Sequence, residues 1–145
     1  MGIFSGMNVS ATGMTAQRFR MDVIAENLAN INTTRDENAN VYRRKQVVFA
    51  EKDSLNFAST LYNSLNVYRP SGVRVTQVVE DPSDLKMVYD PTHPDADENG
   101  YVMYPNVDTI TEMTNLIDAS RAYEANATAF DASKAMAVKG LEIMK

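Results

Sequence analysis

Apolar side chains recur every seven residues over the first thirty positions of the chain. The row consists of Met7, Met14, Met21 and Leu28, and Ile24 and Ile31 follow its last two members after three residues. A heptad row of this kind predicts a helix over residues 4–30 that buries one face against a partner helix. The companion row is weak, because Ser10 and Gln17 occupy its earlier positions. We therefore expect this helix to need a partner.

A stronger heptad pattern fills residues 109–144. Its two rows consist of Met113, Ser120, Ala127, Lys134 and Leu141, and of Leu116, Tyr123, Phe130, Ala137 and Met144. The segment contains no proline and a single late glycine, Gly140, so it predicts one long helix. Either Asn106 or Asp108 would cap the start of this helix after Pro105.

The predicted C-terminal helix is long for a chain of 145 residues. At about 1.5 Å per residue it would extend for about 50 Å. A compact chain of this length has a radius of gyration of about 15 Å. We therefore expect the far end of the helix to pack on other chains, to stay exposed, or to remain unfolded until assembly.

Between the helices the pattern changes to a period of two residues with β-branched composition. Strands are predicted at residues 41–49, 73–79 and 85–89. Turns are predicted at 70–72 and 81–84, and loops at 30–40 and 90–105; residues 55–66 read as a loop or a short helix.

The predicted fold class is mainly α with a small β-rich insertion. The two terminal helices are expected to pair as a coiled-coil-like α-helical hairpin. The predicted boundaries are residues 1–33 for the first helix, 34–104 for the insertion and 105–145 for the second helix. A chain of this length favours a single modest core.

Charge and composition exclude several classes of function. The formal net charge is −5, and the one basic run is Arg43-Arg44-Lys45, so we expect no nucleic-acid binding. The chain has no Cys, which excludes disulfides and thiol catalysis. No apolar run approaches the roughly 20 residues that cross a bilayer, and no secretory signal is visible at the N-terminus. We expect neither membrane insertion nor a cleaved signal peptide.

Two polar segments deserve comparison with enzyme and metal sites. His93 is the single histidine and lies between two prolines, and no nucleophile motif accompanies it, so we interpret it as a turn residue. Residues 95–100 match the first half of a calcium loop, but Asn106 occupies the position that needs a bidentate Glu. We interpret this segment as an acidic turn. The chain is expected to be a structural assembly subunit, not an enzyme, with no cofactor or metal.

Three charged residues of the predicted C-terminal helix have two possible roles. Arg121 and Glu124 are three residues apart, as in a surface ion pair, and Glu112 lies one heptad and two residues before Arg121. Alternatively, these residues face a neighbouring subunit and fix the register of the assembly. The sequence leaves both interpretations open.

Several motifs together resemble the proximal rod subunits of the flagellar axial family. The first is the A-N-x-N-T sequence at the end of the first helix, formed by Ala29, Asn30, Ile31, Asn32 and Thr33. The second is residues 42–49, Tyr-Arg-Arg-Lys-Gln-Val-Val-Phe. Further similar segments are residues 90–97 and 100–102, Pro105, Asn106 and Val107, and the stretch that contains Glu112, Met113, Arg121, Tyr123, Glu124 and Asn126.

This resemblance implies a subunit of the rod that crosses the periplasm in the basal body of the bacterial flagellum. Such a subunit would assemble helically with itself and with other rod subunits, and would reach its place through the flagellar type III export apparatus. The expected assembly residues are those of the A-N-x-N-T motif and of the C-terminal segment: Ala29, Asn30, Ile31, Asn32, Thr33, Pro105, Asn106, Val107, Glu112, Met113, Leu116, Arg121, Tyr123, Glu124, Asn126 and Phe130. Alternatives are another axial subunit, of the distal rod or the hook junction, and a cytoplasmic coiled-coil adaptor.

Overall fold

The computed structural model describes residues 3–35, 40–52, 61, 65 and 71–143 of the chain. Within these residues it contains two long helices and two small antiparallel sheets of two strands each, so the fold is mainly α with a small β part. The elements are α1 (Ile3–Ala29), β1 (Lys45–Glu51), β2 (Val73–Glu80), β3 (Lys86–Tyr89), β4 (Tyr101–Tyr104) and α2 (Thr109–Ile143).

Both predicted helices are confirmed to within one residue at each described end. Asp108, one of the two predicted caps, closes the start of α2. Its Oδ2 accepts hydrogen bonds from the Thr111 backbone N at 3.0 Å and the Thr111 hydroxyl at 2.7 Å. These bonds favour the ionised carboxylate and lower the pKa of Asp108. None of the described helices is apolar over enough of its length to cross a membrane.

The first sheet pairs β1 with β2. The Asp81 backbone N donates to the Arg44 carbonyl at one end of the pair, and the Lys52 N donates to the Gly72 carbonyl at the other. The strand predicted at residues 41–49 begins only at Lys45. The physical reason is that the Arg44 N–H is taken by the side chain of Asn106 at 2.8 Å rather than by a neighbouring strand.

The second sheet pairs β3 with β4 in the register Lys86↔Tyr104, Met87↔Met103, Val88↔Val102 and Tyr89↔Tyr101. Residues 101–104 lie within the predicted loop 90–105 but form β4, so the loop prediction is wrong there. The prolines that suggested a loop lie outside the strand, and Tyr101–Tyr104 has the aromatic and β-branched composition of a strand. Gly100, with a φ of 81°, makes the turn directly before it.

The chain divides into two compact units. The first unit contains Met1–Phe19, Phe49–Thr76 and Ala119–Lys145, and the second unit contains Arg20–Val48 and Gln77–Asp118. The largest fully buried side chains among the described residues are Glu112, Val102, Val107, Asn27 and Pro105, and all of them belong to the second unit. Among the described residues of the first unit, the buried apolar ones are Ala16 and Ala119, which are both small.

The buried positions of α2 lie one residue before a predicted heptad row. Glu112 and Ala119 are completely buried, whereas Met113 is 54% exposed and Ser120 is half-buried. Asn126 lies seven residues after Ala119 and so belongs to the same row. In the first unit this row faces α1 closely, because a Cβ added to Gly13 would lie 2.6 Å from Asn126 Oδ1. The close contact uses small and polar residues, which a hydrophobic pattern does not reveal.

The first helix is displaced from its main predicted row, although Ser10 and Ile24 of the predicted companion row are buried. Its buried residues are Ser10, Ala16, Val23, Ile24 and Asn27, whereas Met7, Met14, Met21 and Leu28 are half-buried. Most of residues 55–66 lie outside the described part of the chain. Of the two described there, Leu65 donates its backbone N–H to the Leu61 carbonyl.

Candidate functional site

A buried carboxylate, that of Glu112, is the centre of a polar cluster in the second unit. Glu112 Oε1 accepts hydrogen bonds from Arg44 Nε at 2.8 Å and contacts Arg44 Nη2 at 2.7 Å. Its other oxygen, Oε2, accepts from Asn27 Nδ2 at 3.0 Å. The carboxylate is thus both neutralised by a guanidinium and hydrogen-bonded on each oxygen, which is the condition under which a buried charge is tolerated.

The side chain of Asn27 uses all of its hydrogen-bonding capacity in this cluster. Its Nδ2 donates to Glu112 and to the Lys45 carbonyl at 2.9 Å. Its Oδ1 accepts from the Lys45 N–H and from the Tyr42 hydroxyl, each at 2.9 Å. The amide of Asn27 therefore pairs with Lys45 as the backbone of a neighbouring strand would.

Asn106 extends the cluster to the turn after β2. Its Oδ1 accepts the Arg44 N–H, and its Nδ2 lies within hydrogen-bond distance of the Asp81 carbonyl at 3.1 Å and of Ser83 Oγ at 2.8 Å. Arg44 Nη1 lies 3.4 Å from Asp81 Oδ2. Hydrogen bonds from Ser83, followed by the interaction with Arg44, lower the pKa of Asp81.

The Tyr42 hydroxyl is held in its neutral form. Burial raises the pKa of Tyr42 to about 12, and the negative charges of Glu26, Glu112 and Glu80 act in the same direction. A neutral phenol can donate the hydrogen bond that Asn27 Oδ1 accepts. The electrostatics of the cluster thus maintain its hydrogen bonding over the whole neutral range.

The cluster joins four chain segments and is suited to fixing a structure. It connects the end of α1, the segment before β1, the turn after β2 and the start of α2. The charged and amide groups at its centre form their hydrogen bonds with one another and with the backbone of Lys45. Among the residues that the structure describes, no group of three or more His, Asp or Glu side chains could hold a metal ion.

The structure places the predicted site residues in two different environments. Asn106 and Glu112 lie in the polar cluster, next to the buried Pro105 and Val107. The other predicted site residues of α2 are exposed or half-buried. They are Met113, Leu116, Arg121, Tyr123, Glu124, Asn126 and Phe130. The predicted surface role of Glu112 is wrong, because Arg44 pairs with it in the interior. The described ion pairs include none between Arg121 and Glu124, which are both exposed.

The A-N-x-N-T motif forms the C-terminal end of α1. Asn30 Nδ2 donates to the Glu26 carbonyl at 3.0 Å, and the Thr33 hydroxyl donates to Asn30 Oδ1 at 3.1 Å. Ala29 and Asn32 are exposed and Ile31 is half-buried. The motif therefore satisfies polar groups where the helix ends.

Asn27 and Asp81 are not among the predicted site residues, and Tyr42 and Arg44 belong to a sequence motif to which no role was assigned. One signal was present for Asn27, which lies one residue before Leu28, next to the predicted apolar row. A polar residue at such a position needs a partner. Its partners are 15 to 85 residues away in sequence, so periodicity could not identify them.

The two polar segments compared with enzyme and metal sites are turns. His93 Nδ1 accepts a hydrogen bond from the Asp95 backbone N at 3.1 Å. Asp97 Oδ1 accepts from the backbone N–H groups of Asn99 and Tyr101. Asp95 accepts a hydrogen bond from the Thr34 hydroxyl. The carboxylates of Asp95 and Asp97 therefore bind other groups of the same chain.

Comparison with known proteins decides the family. Residues 7–35 match the family described as flagella basal body rod protein, and residues 98–143 match the flagellar basal body rod FlgEFG protein C-terminal family. The FlgC rod protein of Bacillus subtilis is 47% identical, and the alignment covers 100% of both chains. The chain belongs to the FlgC family of flagellar basal-body rod proteins.

Other FlgC proteins agree with this assignment. That of Borreliella burgdorferi is 43% identical over 100% of this chain and 99% of its own length. That of Salmonella typhimurium is 36% identical over 99% of this chain and 98% of its own. The chain is therefore a structural subunit of the flagellar basal-body rod. The two matched segments contain most of α1 and all of α2, whereas the FlgC relatives match the intervening β-containing part as well.

Proposed function

We propose that the chain builds the rod by packing the exposed faces of its two terminal helices against those of neighbouring subunits. The helices would form the inner wall of a tube, and the β-containing middle would face outward. The assembled rod would act as the proximal drive shaft of the flagellum and transmit torque. The role is mechanical, and we propose no catalytic step for it.

The observation that supports this proposal most strongly is the exposed apolar surface of α2. Large apolar side chains are exposed along its whole length, and they are Ile110, Met113, Ile117, Tyr123, Met136, Val138, Leu141 and Ile143. Exposed apolar surface of this extent is typical of an interaction site. Met113 and Leu141 belong to one predicted row and Tyr123 to the other, and the exposure of these three side chains leaves them free for a neighbouring subunit.

Within the first unit, α1 and α2 face each other at two positions, which are seven residues apart on each helix and run in opposite directions along the two helices. A Cβ on Gly6 would contact Ser133 Oγ at 3.9 Å, and a Cβ on Gly13 would meet Asn126. These pairs favour the antiparallel, coiled-coil-like hairpin that the heptads predict. We propose that this hairpin is the element that stacks in the rod.

We further propose that the flagellar type III apparatus exports the chain without cleavage of a signal peptide, and that it assembles with other rod subunits in the periplasm. Basal bodies purified from cells that produce an epitope-tagged chain should contain it in the proximal rod when imaged by electron microscopy. Location in the distal rod or the hook junction would contradict the proximal assignment. A stable cytoplasmic dimer that is absent from basal bodies would contradict the rod function.

Replacement of Tyr123 and Phe130 by Asp tests the helix faces. The double variant should be produced at normal levels but should fail to assemble rods, because two charges would enter an apolar contact. The matched control is Thr128→Asp with Ala135→Asp, which has the same spacing on exposed positions about 140° away around the helix. Normal swimming by the Tyr123/Phe130 variant would show that this face is not an assembly surface.

A further inference from the structure

The β3–β4 hairpin presents an apolar face to solvent. Met87 pairs with Met103 and Tyr89 pairs with Tyr101, and side chains two residues apart share a face of a strand. Met87 is 59% and Tyr89 64% exposed, and their partners are each about 40% exposed. The two tyrosine rings pack edge to face with centroids 5.3 Å apart. The hairpin thus carries a preformed apolar patch of four side chains.

Acidic residues surround this patch in sequence. Residues 80–108, which contain the hairpin and its flanking turns, hold eight Asp and Glu residues and a single Lys, Lys86. Asp84, Asp97 and Glu98 are exposed. A partner of the patch should therefore combine apolar side chains with positive charge.

The division of the chain into two units also divides its charge. The sequence of the second unit contains six Lys and Arg residues against fourteen Asp and Glu residues, whereas that of the first unit contains eight against five. Their formal charges are therefore −8 and +3, which add to the −5 of the whole chain. The two units of separate copies should attract each other, and two second units should repel each other.

The last turns of α2, in the first unit, carry a surface with the required chemistry. Lys134, Val138 and Leu141 follow one another at four and three residues and share one side of the helix. Lys134 is exposed, Val138 is 48% and Leu141 69% exposed. A Cβ added at the neighbouring Gly140 would meet no atom within 4 Å, so this end of the helix lies open.

We propose that the apolar face of the β3–β4 hairpin binds the Lys134–Val138–Leu141 face of α2 in a second copy of the chain. The proposal rests on the proposed rod function and deepens it by naming the surface that receives the last turns of α2; the face that contains Tyr123 and Phe130 remains the one that packs on neighbouring helices. Val138 and Leu141 would pack against the Met and Tyr side chains, and Lys134 would approach the exposed acidic residues that flank the hairpin in sequence, such as Glu98. Because two different surfaces meet, the contact is heterologous and can repeat in an open helical assembly.

Site-directed cross-linking tests this contact, since the chain has no natural Cys. Full-length Met87→Cys and Leu141→Cys copies are produced together, basal bodies are isolated, and a short bismaleimide is added. We expect a cross-linked pair of chains from the mixture and none from either variant alone. The matched control replaces Leu141→Cys by Ala132→Cys, an exposed position about 180° around the same helix, and should give little product.

Charge reversal provides a second, independent readout. Glu98→Lys in the Met87→Cys copy, or Lys134→Glu in the Leu141→Cys copy, should lower the cross-linking yield. The two reversals together should restore the yield, because the opposite charges are again paired. When the purified Met87→Cys and Leu141→Cys copies without charge reversals are cross-linked, an increase of salt from about 0.05 M to about 0.5 M should lower the yield.

Three results would overturn the proposal. They are equal cross-linking by the Ala132→Cys control, self-cross-linking of Met87→Cys alone at the level of the mixture, and failure of the paired charge reversals to restore the yield. An immunoblot of the same preparations shows whether the chain is present in basal bodies and so tests the rod function separately. If the chain is absent from basal bodies, the rod function fails, and the same reaction on concentrated purified chain decides the contact.

Discussion

The two units of the chain differ in the interactions that stabilise each of them internally. The second unit encloses a buried carboxylate, a guanidinium and two amides, with Val102 and Val107 in its apolar core. In the first unit α1 and α2 approach each other where Gly13 faces Asn126, and large apolar side chains of α2 are left in solvent. Free energy of folding comes from buried apolar area and satisfied polar groups, so we expect the second unit to be stable alone and the first to depend on neighbours.

The largest expected difference between the units is in amide hydrogen exchange of the dilute, unassembled chain. Amides of α1 and α2 in the second unit should exchange more slowly than those of the same helices in the first unit, by on the order of 100-fold. Exchange followed by mass spectrometry measures this difference helix by helix. Uniform protection along both helices in the monomer would contradict it.

Glu112→Ala should be the most damaging single substitution in the second unit. It leaves the guanidinium of Arg44 and an Asn27 amide N–H without their buried acceptor, at a cost of about 3–5 kcal/mol in the free energy of unfolding. Urea unfolding followed by circular dichroism measures the loss. The double replacement Arg44→Met with Glu112→Leu should recover much of it, because no charge is then left unpaired.

The matched control for Glu112 is Arg121→Ala, an exposed position on the same helix. It should change the free energy of unfolding by less than about 0.5 kcal/mol. A similar effect of both substitutions would show that the cluster does not stabilise the second unit.

Tyr42 gives the second unit a sensitivity to alkaline pH. Its pKa is raised to about 12 in the folded chain, so between its ordinary value near 10 and about 12 the folded state binds more protons than the unfolded state. The contribution of Tyr42 to stability is therefore complete below pH 10 and is lost as the pH rises towards 12. Tyr42→Phe should be less stable at neutral pH by about 1 kcal/mol, through loss of the bond to Asn27, and should lose less stability at high pH.

Spectroscopic titration checks the same group directly. Absorbance of ionised tyrosine should show a late step near pH 12 that is missing from Tyr42→Phe. An unchanged titration curve would mean that the phenol of Tyr42 ionises with the other tyrosines and does not belong to a buried cluster.

The smallest expected effect concerns Gly13 in the first unit. Replacement of glycine by alanine inside a helix normally stabilises it by about 1 kcal/mol. Gly140→Ala, at an open position, should raise the helix content of the monomer at 222 nm. Gly13→Ala should not raise it in the natural chain, because its Cβ would meet Asn126, but should do so when combined with Asn126→Ala. Equal gains at both glycines would show that α1 and α2 do not pair at Gly13 in the monomer.

The sequence predicted α2 well because its start is marked locally, by Asp108 and by Pro105 before it. The strand at Tyr101–Tyr104 was missed because its partner, β3, determines it, and four residues carry little pattern of their own. The heptad rows found the helices but not their buried sides, since Gly13 and Asn27 make contacts that hydrophobicity does not describe. The partners of Glu112 could not be predicted, because Arg44 is 68 residues away.

The bond between Asn27 and Lys45 has a consequence for the free subunit. The Arg44 carbonyl faces β2, so the N–H and carbonyl of Lys45, the next residue, face the open edge of the sheet. An open edge is a template on which strands of other chains can add. Because the side-chain amide of Asn27 occupies both groups, neither is available at this position to pair with a strand of another chain.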